Sequence, residues 1–182
     1  MKKFELTSEF VTFLGKKLFR IKALVAFGDV EEGELGGFVE KEENLDQSGN
    51  AWVYGNARVY GDARVYGDAR VSGNAWVCGN AWVSGNARVY GDARVSGNAW
   101  VSGNARVQCC RDYSAASCFG SEDRTTTFFR TKDGGIGVRC GCFYGTLDEF
   151  REKVKERHGD RRLAKEYLML ADLMEFRLSK DE

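Results

Sequence analysis

The sequence predicts a mainly β protein: a parallel β-helix with an N-terminal β cap and a small C-terminal α/β module made of a β-hairpin and two helices. The prediction rests on three features of the chain. From Ala51 to Gln108 the sequence reads AWVYGN, ARVYGD, ARVYGD, ARVSGN, AWVCGN, AWVSGN, ARVYGD, ARVSGN, AWVSGN and a partial ARVQ, without an insertion. Residues 1–50 before it have strand composition and an acidic, degenerate last unit. Residues 109–182 after it lose the period and gain a hairpin signal and two helical patterns. A fixed six-residue period is the signature of a β-helix. The chain therefore divides into a cap with a degenerate first coil (1–50), the repeat helix (51–108) and the C-terminal module (109–182).

Within each unit Ala and Val stand two residues apart, so on an extended segment both point to one face. That pair never varies, while the residues pointing the other way are Trp, Arg, Tyr, Ser, Cys or Gln. A constant inward set and a free outward set describe a narrow packed interior. Gly-Asn or Gly-Asp closes every unit with the residues that enter tight or left-handed turns at least cost. Invariant Ala and Val argue against a disordered low-complexity tract. The period, and the small number of carboxylates (Asp62, Asp68, Asp92), argue against a calcium-binding β-helix.

These units resemble the hexapeptide repeats of the left-handed parallel β-helix, the trimeric acyltransferase-like superfamily, with Val53, Val59, Val65 and their successors at the inward aliphatic position. The resemblance implies left-handed coils of 18 residues and a homotrimer. With three units per coil, one side carries Trp52, Arg70, Arg88 and Arg106, and a second carries Arg58, Trp76 and Arg94. The third carries Arg64, Trp82 and Trp100, with Tyr66 beside them. Contiguous aromatic surface is usually covered, so Arg64, Tyr66, Trp82 and Trp100 are the candidate oligomer interface.

In the cap, Phe4–Leu6, Phe10–Phe13 and Leu18–Leu24 read as strands, with Gly15-Lys16-Lys17 as the turn. An atypical terminal unit hides the open edge of a solenoid. The stretch AFGDVEEGELGGFVEKEENL, followed by the degenerate Leu45–Asn50, resembles the opening of hexapeptide-repeat proteins found in bacterial and phage genomes. After Gln108, Thr125–Arg130 and Ile136–Cys140 flank an Asp-Gly turn and read as a hairpin. Thr146 and Glu149 form a capping box, followed by Leu147, Phe150 and Val154 at helical spacing. His158-Gly159 ends that helix, and Asp160 is placed to cap the next. Its stripe, Leu163, Tyr167, Leu170, Ala171 and Met174, is read as core.

Composition narrows the function classes. The chain balances 27 basic against 27 acidic side chains, so it lacks the electrostatic footprint of a generic nucleic-acid binder. No membrane-spanning apolar run or signal peptide is read, and the expected location is the cytoplasm, that of the host cell for a phage protein. Enzymes of the superfamily transfer acyl groups with a histidine base, and related zinc enzymes use three histidines. This chain has one, His158, outside the repeats, so a non-enzymatic protein without metal or cofactor is expected. Cys78, Cys109, Cys110, Cys118, Cys140 and Cys142 contain no Cys-x-x-Cys knuckle and are read as reduced, buried thiols. The charged helix surface from Lys153 to Lys165 is read as solvated.

One ligand constellation stands out. Thr126, Phe128 and Arg130 share a face of the hairpin; Lys132, Arg139 and Tyr144 lie close in sequence; Thr146 opens a helix whose amides would receive an anion. Arginine, an aromatic ring and a helix N-terminus suit a nucleotide phosphate and base. The reading at this level is a homotrimeric stalk presenting C-terminal modules that bind or sequester a small anionic ligand; with the phage resemblance, a nucleotide immune signal is its concrete form. A degenerate acyltransferase using a coenzyme A thioester and a structural or protein-interaction scaffold are the alternatives.

Overall fold

In the computed structural model, which describes residues 2–179, the repeats wind into a three-sided parallel β-solenoid of about four turns. Before it come β1 (Phe4–Phe13), β2 (Lys16–Ala23) and β3 (Leu35–Val39). The repeats supply β4 (Trp52–Val53), β5 (Arg58–Val59), β6 (Arg64–Val65), β7 (Arg70–Val71) and β8 (Trp76–Val77). They continue with β9 (Trp82–Val83), β10 (Arg88–Val89), β11 (Arg94–Val95), β12 (Trp100–Val101) and β13 (Arg106–Val107). Strands three units apart pair in parallel, giving one sheet of β4, β7, β10 and β13 and another of β6, β9 and β12. The third runs β1-β2-β3-β5-β8-β11, so the N-terminal hairpin continues one solenoid wall.

The register aligns Arg70 with Arg88 and Arg106, Trp82 with Trp100, and Trp76 with Arg58 and Arg94, the three sides that the six-residue period predicts. Each repeat Ala and Val is at most 1% exposed, so the interior is a column of small aliphatic groups. Between coils, backbone amides donate to carbonyls of the next layer, as from Arg70 to Ala87 at 2.9 Å and from Asn74 to Gly91 at 2.8 Å. Gly73 shows why the corners need glycine. Its φ is +68°, and a Cβ there would lie 2.9 Å from the Gly91 amide nitrogen. Corner amides also stack, with Asn50 Nδ2 donating to Asp68 Oδ1 at 2.8 Å and Asn80 Nδ2 to Asn98 Oδ1 at 3.1 Å.

At the N-terminus β1 is one ten-residue strand rather than two segments. The turn is Leu14-Gly15, both at positive φ (49° and 78°), one position earlier than the sequence suggested. Such a two-residue connection matches the twist of the strands it joins. Alternation along β2 sends Ile21 into the solenoid core and Leu18 into an outer cluster with Phe38 and Tyr60. Gly36 and Gly37 let β3 lie directly on the first coil, because a Cβ on either would come within 2.6 Å of Val53 atoms. The degenerate unit works as a coil side: Leu45 bridges to Val65, and buried Asn44 donates to the carbonyls of Gly61 and Ala63 at 3.0 and 2.8 Å. Lys3 is 4% exposed, and its ammonium donates to the Ala51 carbonyl at 2.9 Å.

The C-terminal hairpin is the centre of a four-stranded antiparallel sheet: β14 (Tyr113–Phe119), β15 (Arg124–Arg130), β16 (Ile136–Cys140) and β17 (Phe143–Thr146). The outer strands escaped the sequence reading because YSAASCF has no branched residues and FYGT is only four residues long and runs into a helix cap. Helices α1 (Leu147–His158) and α2 (Arg162–Leu178) follow. Thr146 and Glu149 make the expected capping box. The second helix begins after Arg161, which offers no side-chain cap, rather than after a capping Asp160. The expected stripe is core: Tyr167, Leu170, Ala171 and Met174 pack with Phe128, Phe150 and Val154, and Leu163 is half-buried.

This sheet lies across the open end of the solenoid. Alternation along β15 sends Phe129 into the solenoid core and Phe128 under the helices. Thr127 Oγ1 accepts from the Trp100 amide at 2.9 Å, Tyr113 Oη donates to the Arg94 carbonyl at 2.7 Å, and the Lys132 amide donates to the Asn104 carbonyl at 2.9 Å. The module is therefore a C-terminal cap rather than an appendage on a stalk.

Candidate functional site

The solenoid offers three outer faces, and the sequence dresses each differently. On the face of β5, β8 and β11 the tip of the N-terminal hairpin folds over the aromatic surface: Phe13 meets Trp76 at 4.6 Å and Tyr60 at 5.9 Å. Arg94 and Arg58 stack on Trp76 and Phe13 at 4.3 and 4.6 Å. On the face of β4, Trp52 is enclosed between Phe4 and Phe27, 6.2 and 5.3 Å away, and is fully buried.

Among the described residues, no hairpin or N-terminal aromatic covers the face of β6, β9 and β12 in this way. Tyr66, Trp82 and Trp100 form an edge-to-face ladder, with centroids 5.9 and 5.1 Å apart. Arg139 of the cap extends it, its guanidinium 3.7 Å from the Trp100 centroid. Trp100 Nε1 donates to Ser84 Oγ at 3.1 Å, which fixes that ring. Trp82 is 38% exposed and borders a groove of about 610 Å³ lined by Glu42, Glu43, Asp46, Arg64 and Tyr66. The four residues expected at an interface thus share one surface, and Arg139, expected at a ligand, belongs to it.

The other residues expected at a ligand converge only in part: Tyr144 and Thr146 line one groove of about 800 Å³. Thr126 and Phe128 are fully buried; Thr126 Oγ1 donates to Cys140 Sγ at 3.2 Å, and Phe128 meets Phe150 at 5.9 Å. Arg130 is committed to Asp112 at 3.4 Å and to the Ser179 carbonyl at 3.1 Å. The amide and hydroxyl of Thr146 donate to the Glu149 carboxylate at 2.7 and 3.1 Å, so an internal anion fills the helix start. Tyr144 lies over the last corner glycine, Gly103, and Lys132 stands beside Arg106. Strand alternation put Thr126 and Phe128 on one face, as read; the sequence alone did not reveal that two helices cover it.

A family model described as "YdcK Beta solenoid repeat" matches residues 51–64, 63–79, 81–97 and 87–103. The repeats are those of a β-solenoid. No curated protein matches the chain.

The β-solenoid's remaining chemical groups lie in and around its cap. Cys109, Cys110, Cys118 and Cys142 are exposed, and only Cys78 and Cys140 are half-buried, which corrects the reading of all six as buried hydrophobes. His158 ends α1 stacked on Tyr167, centroids 5.8 Å apart. Helix α2 also presents Met169, Leu173 and Phe176 to solvent at 72%, 57% and 83% exposure. Their i, i+4, i+7 spacing is legible in the sequence beside the stronger core stripe. No helix among the described residues is long and apolar enough to cross a membrane.

Proposed function

We propose that the protein is a non-enzymatic, self-assembling β-solenoid scaffold whose copies meet through the Tyr66–Trp82–Trp100–Arg139 face. One observation carries this reading. Trp52 and Trp76 are covered by aromatic side chains of the N-terminal segment, whereas Trp82 meets, among the described aromatic residues, only its ladder neighbours Tyr66 and Trp100 and remains exposed. A second copy suits it, because acidic Glu42, Glu43 and Asp46 and basic Arg64 and Arg139 border the same apolar ladder. An interface with an aromatic centre and a charged rim has this make-up. The homotrimer implied by the hexapeptide resemblance is the expected stoichiometry.

A catalytic alternative finds less support. An acyl-transfer base would be His158, which sits on the cap's first helix against Tyr167. Sequestration of a nucleotide at the hairpin is less favoured, since of the residues first named for it only Tyr144 and Thr146 line a common groove, of about 800 Å³, while Thr126 and Phe128 are enclosed.

Native mass spectrometry tests the scaffold reading. A trimer is expected for the native sequence and a monomer for Trp82→Glu, with both folded by circular dichroism. A native protein that stays monomeric at micromolar concentration overturns the proposal.

A further inference from the structure

The face of β4, β7, β10 and β13 carries a second feature, unrelated to the aromatic ladder. Arg70, Arg88 and Arg106 stand in register on successive coils, about 4.8 Å apart as sheet spacing requires. Lys132 joins them, because the cap docks its backbone on Asn104, two residues before Arg106. Two adjoining grooves of about 590 and 380 Å³ run along the ladder, and Tyr54 and Tyr90 flank the first.

The three guanidinium groups are not equally satisfied. Arg70 is paired with Asp29, which also accepts from Tyr54 Oη at 3.0 Å. Among the described residues, Arg106 donates only to carbonyls, those of Asn86 at 3.0 Å, Ala105 at 2.8 Å and Asn104 at 3.4 Å. These contacts hold its fork in place without neutralising it. Arg88, between them, has no carboxylate partner among the described residues, and neither does Lys132. Asp68, already bonded to Asn50, and Asp133 also border the ladder. Burial, followed by the Arg88 charge, pulls the Arg106 guanidinium below its usual range. The like charges are therefore felt, and an anion between them would relieve the repulsion.

We propose that Arg88, Arg106 and Lys132 form a binding site for a compact oligophosphate, in which each guanidinium fork grips one phosphate of an anhydride-linked group. Planar forks match phosphate oxygens two at a time. Rungs about 4.8 Å apart suit two phosphates of one small molecule. They are out of step with an acidic strand, whose side chains on one face repeat at about 6.6 Å. Inorganic oligophosphate and the phosphate tail of a nucleotide share this chemistry, and Tyr90 offers a ring for a base.

Isothermal titration calorimetry at low salt with inorganic tripolyphosphate is the test. The native protein is expected to bind, with affinity falling as salt rises. Arg88→Ala is expected to bind at least about tenfold more weakly, and Arg94→Ala, on another face, within about twofold of native. No binding at millimolar tripolyphosphate, or equal weakening in both variants, overturns the proposal. Adenosine triphosphate binding more tightly than tripolyphosphate would assign the site to nucleotides, and weaker or equal binding to inorganic oligophosphate. The site is independent of the assembly face: Arg88→Ala should keep the native mass, and Trp82→Glu should keep tripolyphosphate affinity.

Discussion

Thr127 Oγ1 accepts a hydrogen bond from the Trp100 amide at 2.9 Å, where a further coil would have offered its own carbonyl. From Trp52 to Arg88 that amide position donates to the alanine carbonyl one coil on, as Trp82 does to Ala99 at 2.9 Å. A side chain from the cap sheet thus takes the place of the missing carbonyl, and Phe129, two residues on, closes the core. The solenoid ends because its final donors have been given other partners.

Removing that acceptor should loosen the cap. Thr127→Val keeps the volume and leaves the Trp100 amide unpaired in a buried site, at about 1–3 kcal/mol. Thr127→Ser should retain most of the stability. Urea unfolding of the two variants checks this, and equal losses would show that the hydroxyl is not the cause. Phe129→Ala should cost about 3–5 kcal/mol through the cavity it leaves.

The N-terminal closure depends on a close approach. A Cβ on Gly37 would lie 2.6 Å from Val53 Cγ1 and 2.7 Å from the Ala57 carbonyl oxygen, which the coil hydrogen bonding holds still. Gly37→Ala should destabilise by about 1–3 kcal/mol, in the range of core overpacking. Gly135→Ala meets nothing nearer than 3.5 Å and should be neutral or slightly stabilising. Thermal unfolding of the pair decides it; a tolerated Gly37→Ala would mean that β3 can lift off the first coil.

Stability should also vary with pH in a defined way. Burial pushes the Lys3 ammonium from 10.5 down to about 8, with Asp46 partly opposing. Between those values the unfolded chain binds more protons than the folded one, so stability rises with pH, by up to about 3 kcal/mol. Tyr54 and Tyr60 are pushed up to about 12, first by burial and then by hydrogen bonds to Asp29 and Cys78. The folded chain keeps those protons longer, so stability falls as pH rises above about 10. Urea midpoints should peak near pH ~10, and Lys3→Met should remove the rising limb whatever its effect on overall stability. A native profile that is flat from pH 8 upward would contradict the burial of Lys3.

The aromatic ladder should report assembly through its own fluorescence. Trp82 is exposed in the single chain, so dilution of an assembled sample should shift its emission to the red as the face is wetted. Trp82→Phe should abolish most of that shift while keeping the oligomer. An emission spectrum unchanged over a wide concentration range would place the contact elsewhere, with Met169, Leu173 and Phe176 on α2 as the next surface to mutate.

Much of this fold was legible because it repeats. Alternation fixes which side of each unit faces inward, and the six-residue period fixes which outward residues stack, so the Arg70–Arg88–Arg106 and Trp82–Trp100 alignments follow from counting. The capping box at Thr146 and the hairpin around Asp133-Gly134 are equally local and were equally readable. What covers a face is not local. The sequence places Thr126 and Phe128 together on a strand, yet only tertiary packing put two helices over them. It places Trp76 and Trp82 on neighbouring faces with no sign of which one the Phe13 hairpin would cover. Periodic hydrogen bonding and side-chain direction are properties of a few consecutive residues; coverage and capping depend on chain segments tens of residues away. The sequence by itself therefore determined the solenoid and its ladders, and the tertiary structure decided which of them were left open.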